Sequence, residues 1–290
     1  MEKKKILVLG ASSFLGNLFL KEYSFGEVLG TYNNNKVNSS ISFNSTLEDI
    51  SKLEVNWNDF SHALILIGDT DPDSCYRNSE LSNLINIVSI KKIIDFLVFK
   101  NIFIIFTSSE FVFDGLGGLY KETDKANPIL LYGQQKLEVE NYLKGIEKCC
   151  ILRLAKIYGD SEHDGTLFSN WMKALNKNKN IYCANDQYFS PVYVQDVIRI
   201  IHLVIVNNIT GLYHVSCGKK FRRDMLLEVL CLALEIKPKI HLCSINDFNL
   251  PEKRPLDVSL DSSKISKSLN FTFTDTEVFI KNRYINLKKS

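Results

Sequence analysis

The stretch Ile6-Leu-Val-Leu-Gly10-Ala-Ser-Ser-Phe-Leu-Gly16 decides the fold class of this chain. Its apolar run stops at Gly10, and after a short loop the residues from Phe14 to Tyr23 carry apolar side chains at helical spacing. A buried strand, a glycine turn and an amphipathic helix therefore follow one another. This order predicts the first βα unit of an α/β sheet.

The same alternation continues to about residue 158. Residues 102–106 are apolar without interruption, which is typical of a parallel strand covered on both faces. Further strands are expected at 27–32, 63–68, 102–107 and 150–157, and helices at 47–53, 84–99 and 132–148. We therefore predict an α/β fold with a Rossmann-like, doubly wound parallel sheet over 1–158, completed by later segments near 190–216.

Beyond residue 159 the alternation breaks up, and a smaller portion is predicted over 159–290. Helices are expected there at 167–175, 194–206 and 222–234. Short extended pieces are expected between them, and three prolines follow near the end of the chain. This portion is expected to be rich in loops.

Composition and charge narrow the classes of function. The 290 residues carry 35 basic and 33 acidic side chains, so the formal net charge of +2 gives no support for a nucleic-acid partner. Seven cysteines with no Cys-x-x-Cys spacing do not predict a disulfide framework. No apolar run reaches 18 residues. We expect a soluble, cytoplasmic protein that binds small molecules, without a metal, a membrane or nucleic acid.

The turn after the first strand predicts a site for the pyrophosphate of a dinucleotide. Free N–H groups at a helix start and the helix dipole attract an anion there. Gly10 allows a tight turn and Gly16 allows close packing, while Ser13 replaces the middle glycine of the usual Gly-x-x-Gly-x-x-Gly form. An ordinary βα turn with two glycines is the alternative. The expected cofactor contacts in this turn and at the neighbouring strand ends are Gly10, Ser12, Ser13, Phe14, Leu15, Gly16, Lys36, Ile67, Gly68 and Thr107.

The end of the second predicted strand bears on the choice of cofactor. An acid there would bind the adenosine ribose of NAD, whereas a base would accept the 2′-phosphate of NADP. The segment Gly30-Thr-Tyr-Asn-Asn-Asn-Lys36 has no carboxylate and one lysine. We therefore expect NADPH rather than NADH, although a solvated lysine in an Asn-rich turn explains Lys36 equally well.

Tyr132 and Lys136 lie one helical turn apart at the start of the helix that follows the fourth parallel strand. Ligands of open α/β sheets gather at this edge. A phenol, with a pKa of about 10, is a better proton donor when a nearby cation lowers that value. We expect Tyr132 to transfer a proton, Lys136 to lower its pKa, and both to contact the cofactor. Two other pairs have the same spacing and are attributed to chance, namely Tyr32/Lys36 and Tyr284/Lys288.

The segment Thr107-Ser-Ser-Glu-Phe-Val-Phe-Asp-Gly115 leaves the same edge of the predicted sheet. A hydroxyl there could hold a substrate carbonyl beside Tyr132, and Ser109 is the expected residue. Routine hydrogen bonding within a loop is the alternative for Ser108 and Ser109.

These motifs, in this order, resemble the extended short-chain dehydrogenase/reductases, and among them the dTDP-4-dehydrorhamnose reductase family. The resemblance runs over nearly the full length. Beside the segments already quoted, it includes Asn86, Leu152-Arg-Leu-Ala-Lys-Ile-Tyr-Gly159, Asp186-Gln-Tyr-Phe-Ser-Pro191, Gly211-Leu-Tyr-His-Val-Ser216 and Arg254-Pro255.

The resemblance implies an NAD(P)H-dependent reduction of the 4-keto group of a nucleotide-activated 6-deoxysugar. Tyr132 would be the acid, Lys136 its pKa-lowering and ribose-binding partner, and Ser109 the carbonyl ligand. Asn86 matches the family position that steadies the active-site end of its helix. Residues 1–158 would bind NAD(P) and residues 159–290 mainly the substrate, and a second copy of the chain is a further expected partner. The expected substrate contacts are Ser109, Glu110, Phe111, Arg153 and Lys156.

Departures from the family pattern leave alternatives open. Glu110 and Phe111 stand where the family has Asp and Tyr, and Lys156 stands where it has an aromatic residue, so an altered sugar pocket is expected. An epimerase or dehydratase of the same superfamily is one alternative, although Glu110-Phe111 lacks the second acid of a dehydratase. The other is a non-catalytic, dinucleotide-binding protein that resembles the regulatory subunit of methionine adenosyltransferase.

Overall fold

A computed structural model describes residues 5–177 and 180–286 of the chain. Within these residues a seven-stranded sheet has the order β11-β6-β5-β4-β1-β2-β3, and three further strand pairs are β7 with β10, β8 with β13 and β9 with β12. The strands are β1 (Lys5–Leu9), β2 (Val28–Tyr32), β3 (Ser40–Ser42), β4 (Phe60–Ile65), β5 (Phe103–Ser109), β6 (Cys149–Leu154), β7 (Ile157–Tyr158), β8 (Ile181–Ala184), β9 (Tyr188–Phe189), β10 (Val192–Tyr193), β11 (Gly211–Val215), β12 (Phe221–Arg222) and β13 (Ile240–Cys243).

The large sheet confirms the predicted doubly wound α/β fold. The pairs from β3 through β2, β1 and β4 to β5 are parallel. Strands β2 and β3 extend the sheet on one side of β1, and β4 to β6 extend it on the other side, so the strand order reverses between β1 and β4. The late strand β11 supplies the seventh member, as expected for the segment near 190–216. Among the described residues, no helix is long and apolar enough to cross a membrane.

The helices mostly lie where the apolar spacing predicts them. They are α1 (Phe14–Glu22), α2 (Pro72–Arg77), α3 (Ser79–Asn83), α4 (Ser89–Phe99), α5 (Leu131–Leu143), α6 (Leu167–Asn176), α7 (Val194–Asn207), α8 (Arg223–Ala233), α9 (Ser263–Leu269) and α10 (Thr276–Asn286). A π-helical turn, Leu84–Val88, joins α3 to α4. The pattern missed α2, α3, α9 and α10.

Several predicted boundaries were wrong for local physical reasons. The helix expected at 47–53 is only a 3₁₀ turn, Ile50–Lys52, because so short a segment does not meet the cost of helix nucleation. The helix expected to reach residue 148 ends at Leu143, since Gly145 follows with a φ of 87°. The strand expected over 150–157 is divided into β6 and β7.

The chain divides into two compact units, and their boundaries differ from the single division expected at residue 158. Unit 1 comprises 1–112, 130–153 and 198–212, and unit 2 comprises 113–129, 154–197 and 213–290. The chain enters unit 2 directly after β5 and returns for α5. Local βα periodicity does not reveal such returns, because they depend on which distant segments pack together.

Unit 1 has a continuous apolar core under its strands. Leu7, Leu9, Ile65, Ile104 and Phe106 come from β1, β4 and β5 and are almost fully buried together. Each such side chain contributes roughly 1.5–3 kcal/mol through removal from water. Unit 2 has its own aromatic packing, in which the rings of Phe113 and Tyr120 stack at 4.1 Å.

A buried ion pair fixes α5 to the strands of unit 1. The guanidinium of Arg153, on β6, donates to both carboxylate oxygens of Glu140 at 2.9 and 2.7 Å. The hydroxyl of Ser108, on β5, donates to the same carboxylate at 2.5 Å. Both charged side chains are about 95% buried. One carboxylate on α5 therefore holds two neighbouring strands.

We predict that Glu140→Ala lowers the free energy of unfolding by about 3–5 kcal/mol, because it removes the carboxylate that offsets the buried charge of Arg153. Glu138→Ala on the same helix is the matched control. Its ion pair with Lys91 is half exposed, so the loss should stay below about 1 kcal/mol. Urea unfolding of both variants measures the difference, and equal losses would contradict the assignment.

Candidate active site

A cleft of about 570 Å³ opens in unit 1 at the carboxyl ends of β1 and β4. Sheets of this kind bind ligands where the strand order reverses, and β1 and β4 flank that point. The residues that line the cleft are Gly10, Ser12, Ser13, Thr31, Tyr32, Asn33, Asn34, Phe43, Asn44, Ser45, Thr46, Leu66, Ile67, Gly68, Asp69, Leu81 and Ile85. Of the predicted cofactor contacts, Gly10, Ser12, Ser13, Ile67 and Gly68 line the cleft. Phe14, Leu15, Gly16, Lys36 and Thr107 are not among its lining residues.

The glycines of the turn are required by the protein's own packing. Gly10 has a φ of 90°, and a Cβ there would lie 2.9 Å from the backbone nitrogen of Ile67. A Cβ on Gly16 would lie 2.7 Å from the carbonyl oxygen of Gly10. A larger residue at either position would therefore disturb the fold before it could meet a ligand. Gly10 is consequently unsuitable as a test of ligand binding.

Ser13, which replaces the middle glycine of the motif, supplies a side-chain cap for helix α1. Its side-chain oxygen accepts from the backbone N–H of Gly16 at 3.1 Å and caps the start of α1. The side chain is also exposed in the mouth of the cleft. Free N–H groups, the positive end of α1 and a short side chain fit the pyrophosphate of a dinucleotide.

The side of the cleft next to β2 and β3 is neutral and amide-rich. Asn33 and Asn34 line it after β2, and Asn44 lines it after β3. Lys36 is exposed and does not line the cleft, so its predicted contact with the cofactor has no support from this geometry. The sequence pattern gave Asn33 and Asn34 no role beyond an Asn-rich turn, and it did not predict β3, which has only three residues.

Tyr132, Ser109 and Lys136 come together at the other end of this region. The Ser109 hydroxyl forms a hydrogen bond with the hydroxyl of Tyr132. Lys136 Nζ donates to the carbonyl oxygen of Thr107 at 3.0 Å and lies 5.8 Å from the centroid of the Tyr132 ring. All three side chains are buried. The residues predicted from β5 and α5 thus form one cluster.

Burial dominates the proton affinities in this cluster. It raises the pKa of Tyr132, and the nearby carboxylates of Glu110 and Asp69 act in the same direction, against the hydrogen bond from Ser109. Burial therefore outweighs the lowering expected from Lys136, and the net shift of this pKa is upward. Burial also lowers the pKa of Lys136 to about 8. Tyr132 is therefore a protonated phenol at neutral pH, which suits a proton donor.

Asn86 lies in the π-helical turn, and its buried amide binds the backbone of Asp69. Its Oδ1 accepts from the N–H of Asp69 at 2.8 Å, and its Nδ2 donates to the Asp69 carbonyl at 2.9 Å. Asn86 thus shapes the cleft wall next to the Tyr132 cluster without itself lining the cleft.

The predicted substrate residues have different placements. Glu110 is buried beside Tyr132, and the ring of Phe111 meets the Tyr132 ring edge to face at 6.3 Å. Arg153 is buried and paired with the carboxylate of Glu140, and its contact with a substrate stays a prediction. Lys156 is exposed in unit 2.

The two chance Tyr-x-x-x-Lys pairs also have distinct environments. Tyr32 lines the cleft, so its hydroxyl is not a neutral position for a control substitution. Tyr284 is buried in α10, and Lys288 lies outside the described residues.

Within the part of the chain that the structure describes, no group of three or more His, Cys, Asp or Glu residues could hold a metal ion.

Comparison with known proteins identifies the family of the chain. The sequence matches the family described as the RmlD substrate binding domain over residues 4–285. The chain belongs to this family.

This RmlD-family chain is similar in sequence to proteins with different names. It is 27% identical to methionine adenosyltransferase 2 subunit beta of Xenopus tropicalis, over 91% of this chain and 82% of that protein. It is 29% identical to dTDP-4-dehydrorhamnose reductase of Aggregatibacter actinomycetemcomitans, over 68% of this chain and 71% of that protein. A crystal structure described as a hypothetical dTDP-4-dehydrorhamnose reductase from Sulfolobus tokodaii is 26% identical, with a TM-score of 0.83, and the match covers 94% of this chain and 98% of that chain.

For this RmlD-family protein we predict that Ser13→Asp weakens NADPH binding by about tenfold or more. Aspartate preserves the helix cap but places a negative charge where the pyrophosphate would bind. Ser13→Asn preserves the cap without the charge and should bind nearly as the native protein does. Fluorescence titration of NADPH gives the dissociation constants. Equal constants for the two variants would rule out a pyrophosphate at this turn.

A second prediction concerns pH. The ammonium of Lys136 loses its proton as the pH rises through about 8, the value to which burial lowers its pKa. Since NADPH is an anion, its dissociation constant should stay level below pH 8 and increase above it, by at most about tenfold per pH unit for one proton. Lys136→Met should remove this bend, whereas Lys91→Met should retain it. A native profile that stays flat to pH 9.5 would contradict the prediction.

Proposed function

We propose that this protein catalyses the NAD(P)H-dependent reduction of a 4-keto group on a nucleotide-activated 6-deoxysugar. The observation that carries the proposal is the buried cluster of Tyr132, Ser109 and Lys136 beside the dinucleotide-shaped cleft of unit 1. Membership of the RmlD family and the similarity to a named dTDP-4-dehydrorhamnose reductase support the same reaction class.

The cleft would hold the cofactor through Ser12 and Ser13 at the phosphates and through Gly68 and Asp69 at the end nearer Tyr132. A bound, reduced nicotinamide supplies the hydride for carbonyl reduction. We propose NADPH as the preferred form, because no carboxylate follows β2 to repel a 2′-phosphate. The neutral amides of Asn33 and Asn34 would then face that phosphate, so the preference should be modest.

Side chains of the protein would donate the proton and stabilise the phenolate that remains. Tyr132 donates its hydroxyl proton to the carbonyl oxygen of the substrate, so that the ketone becomes an alcohol when carbon also gains a hydride. Burial favours this direction, because it keeps the phenol protonated at neutral pH. Ser109 donates a hydrogen bond that favours the phenolate formed by this step. The ammonium of Lys136 stabilises the same negative charge at longer range.

The pocket beside Tyr132 would select the sugar. The apolar ring of Phe111 packs edge to face with the Tyr132 ring, and Glu110 contributes a buried carboxylate near Tyr132. A 6-deoxysugar carries a methyl group that suits an apolar neighbour such as Phe111. We propose that this change from the family's Tyr alters sugar selectivity rather than the reaction.

A second candidate function is that of a dinucleotide-binding regulatory subunit. The similarity to methionine adenosyltransferase 2 subunit beta, which extends over 91% of the chain, favours it. The two candidates share the cleft and differ in whether Tyr132 has a substrate. A panel of dTDP-, UDP-, GDP- and CDP-linked 4-keto sugars, assayed with NADPH and NADH, separates them. Binding of a dinucleotide without reduction of any sugar would favour the subunit.

We predict that Tyr132→Phe retains dinucleotide binding while turnover of the 4-keto sugar falls by about 10²-fold or more, because only the acidic hydroxyl is removed. The matched control is Tyr142→Phe on the same helix. Its hydroxyl is half exposed and donates to Asp95, so turnover should be unchanged. Native turnover in Tyr132→Phe would refute the mechanism.

A further inference from the structure

Gln135 is a buried amide on α5, adjacent to Lys136 and one turn from Tyr132. Its exposed fraction is 1%, whereas its neighbour Gln134 is exposed. Burying an amide is costly unless its groups are hydrogen-bonded, so its partners indicate what it holds together. The sequence pattern assigned it no role.

All hydrogen-bond partners of the Gln135 side chain lie on the segment from α3 through the π-helical turn. Its Oε1 accepts from Asn86 Nδ2 at 2.7 Å. Its Nε2 donates to Ser82 Oγ and to Asn83 Oδ1, each at 2.8 Å. Ser82 in turn donates to the carbonyl of Cys75 at 3.0 Å. Gln135 therefore ties α5 to three positions on one neighbouring segment.

Asn86 connects Gln135 to the cleft through hydrogen bonds. Its two N–H groups are shared between Gln135 and the Asp69 carbonyl, while its oxygen accepts from the Asp69 N–H. Each donor in this series of hydrogen bonds meets an acceptor. Neither side-chain amide can therefore flip without placing two donors or two acceptors against each other. Asp69 and the preceding Gly68 line the cleft. The position of that wall thus depends on the orientation of Gln135.

Lys136 borders the same wall. A Cβ built on Gly68 would lie 3.0 Å from Asn86 Oδ1 and 3.7 Å from Lys136 Nζ. The wall, the amide of Asn86 and the ammonium of Lys136 are thus in close contact. A shift of the wall would change the space between the cofactor cleft and the Tyr132 cluster, and misplacements of about 1 Å can cost up to ~10²-fold in rate.

We propose that Gln135 is a positioning residue, which sets the Gly68–Asp69 wall of the cleft relative to Lys136 and Tyr132 through Asn86. The inference rests on the proposed function and deepens it. Gln135 acts through Asn86 and Asp69 and touches neither substrate nor cofactor in this role.

Gln135→Met tests the proposal, because methionine fills nearly the same space but makes none of the three hydrogen bonds. We expect the dissociation constant of NADPH to increase about tenfold and turnover to fall about tenfold, with the KM of the sugar unchanged. Gln134→Met is the same substitution on the exposed neighbour and should leave all three values native. Val139→Ala removes buried methyl groups from the same helix and controls for lost stability alone.

A folded Gln135→Met protein with native NADPH affinity and turnover would overturn the proposal, and so would an equal loss of affinity in Val139→Ala. If Gln135→Met does not fold, Asn83→Ala replaces it. Asn83 is half-buried and supplies one of the three hydrogen bonds, so about threefold weaker NADPH binding supports the role and native binding overturns it. Wild-type protein that binds NADPH but reduces no sugar contradicts the proposed function, while the NADPH constants still decide whether Gln135 positions the cleft.

Discussion

The contact between the Glu140 carboxylate and its two donors, Arg153 and Ser108, holds the candidate active site in place. Two charges are removed from water in this contact, and only geometry that satisfies both carboxylate oxygens offsets that cost. The result is that α5 cannot slide on β5 and β6. Tyr132 and Lys136 are carried on that helix, and Ser109 ends the strand beneath it.

A second polar connection joins this helix to the cofactor cleft. The amides of Gln135 and Asn86 lead from α5, through the π-helical turn, to the backbone of Asp69. Helix turns of the π type are rare and are often found at functional sites. Here the turn carries Asn86 inward, so the wall of the cleft and the Tyr132 cluster are specified together.

The surroundings of Tyr132 are low in polarity, and this makes proton transfer sensitive to the positions of the neighbouring groups. Burial raises the pKa of the phenol and lowers that of the neighbouring ammonium, so both groups are held toward their neutral forms. A proton donor in this setting transfers its proton only when an acceptor is placed within hydrogen-bond distance. In the proposed reaction, the hydrogen bonds that fix Ser109, Lys136 and the cleft wall would therefore determine where the substrate carbonyl lies.

The sequence by itself determined the repeated βα units, the glycine turn and the pairing of Tyr132 with Lys136. These features are local: apolar periodicity sets strands and helices, a positive φ requires Gly10, and one helical turn separates the phenol from the amine. Only the tertiary structure decided the ion pair of Arg153, the neutral wall of Asn33 and Asn34, the direction of the Tyr132 pKa and the buried hydrogen bonds of Gln135. Each of these depends on burial or on a partner many residues away, such as Glu140 for Arg153 and Asn86 for Gln135. Periodicity along the chain carries no information about such partners, because they are fixed by how the packed helices and strands meet.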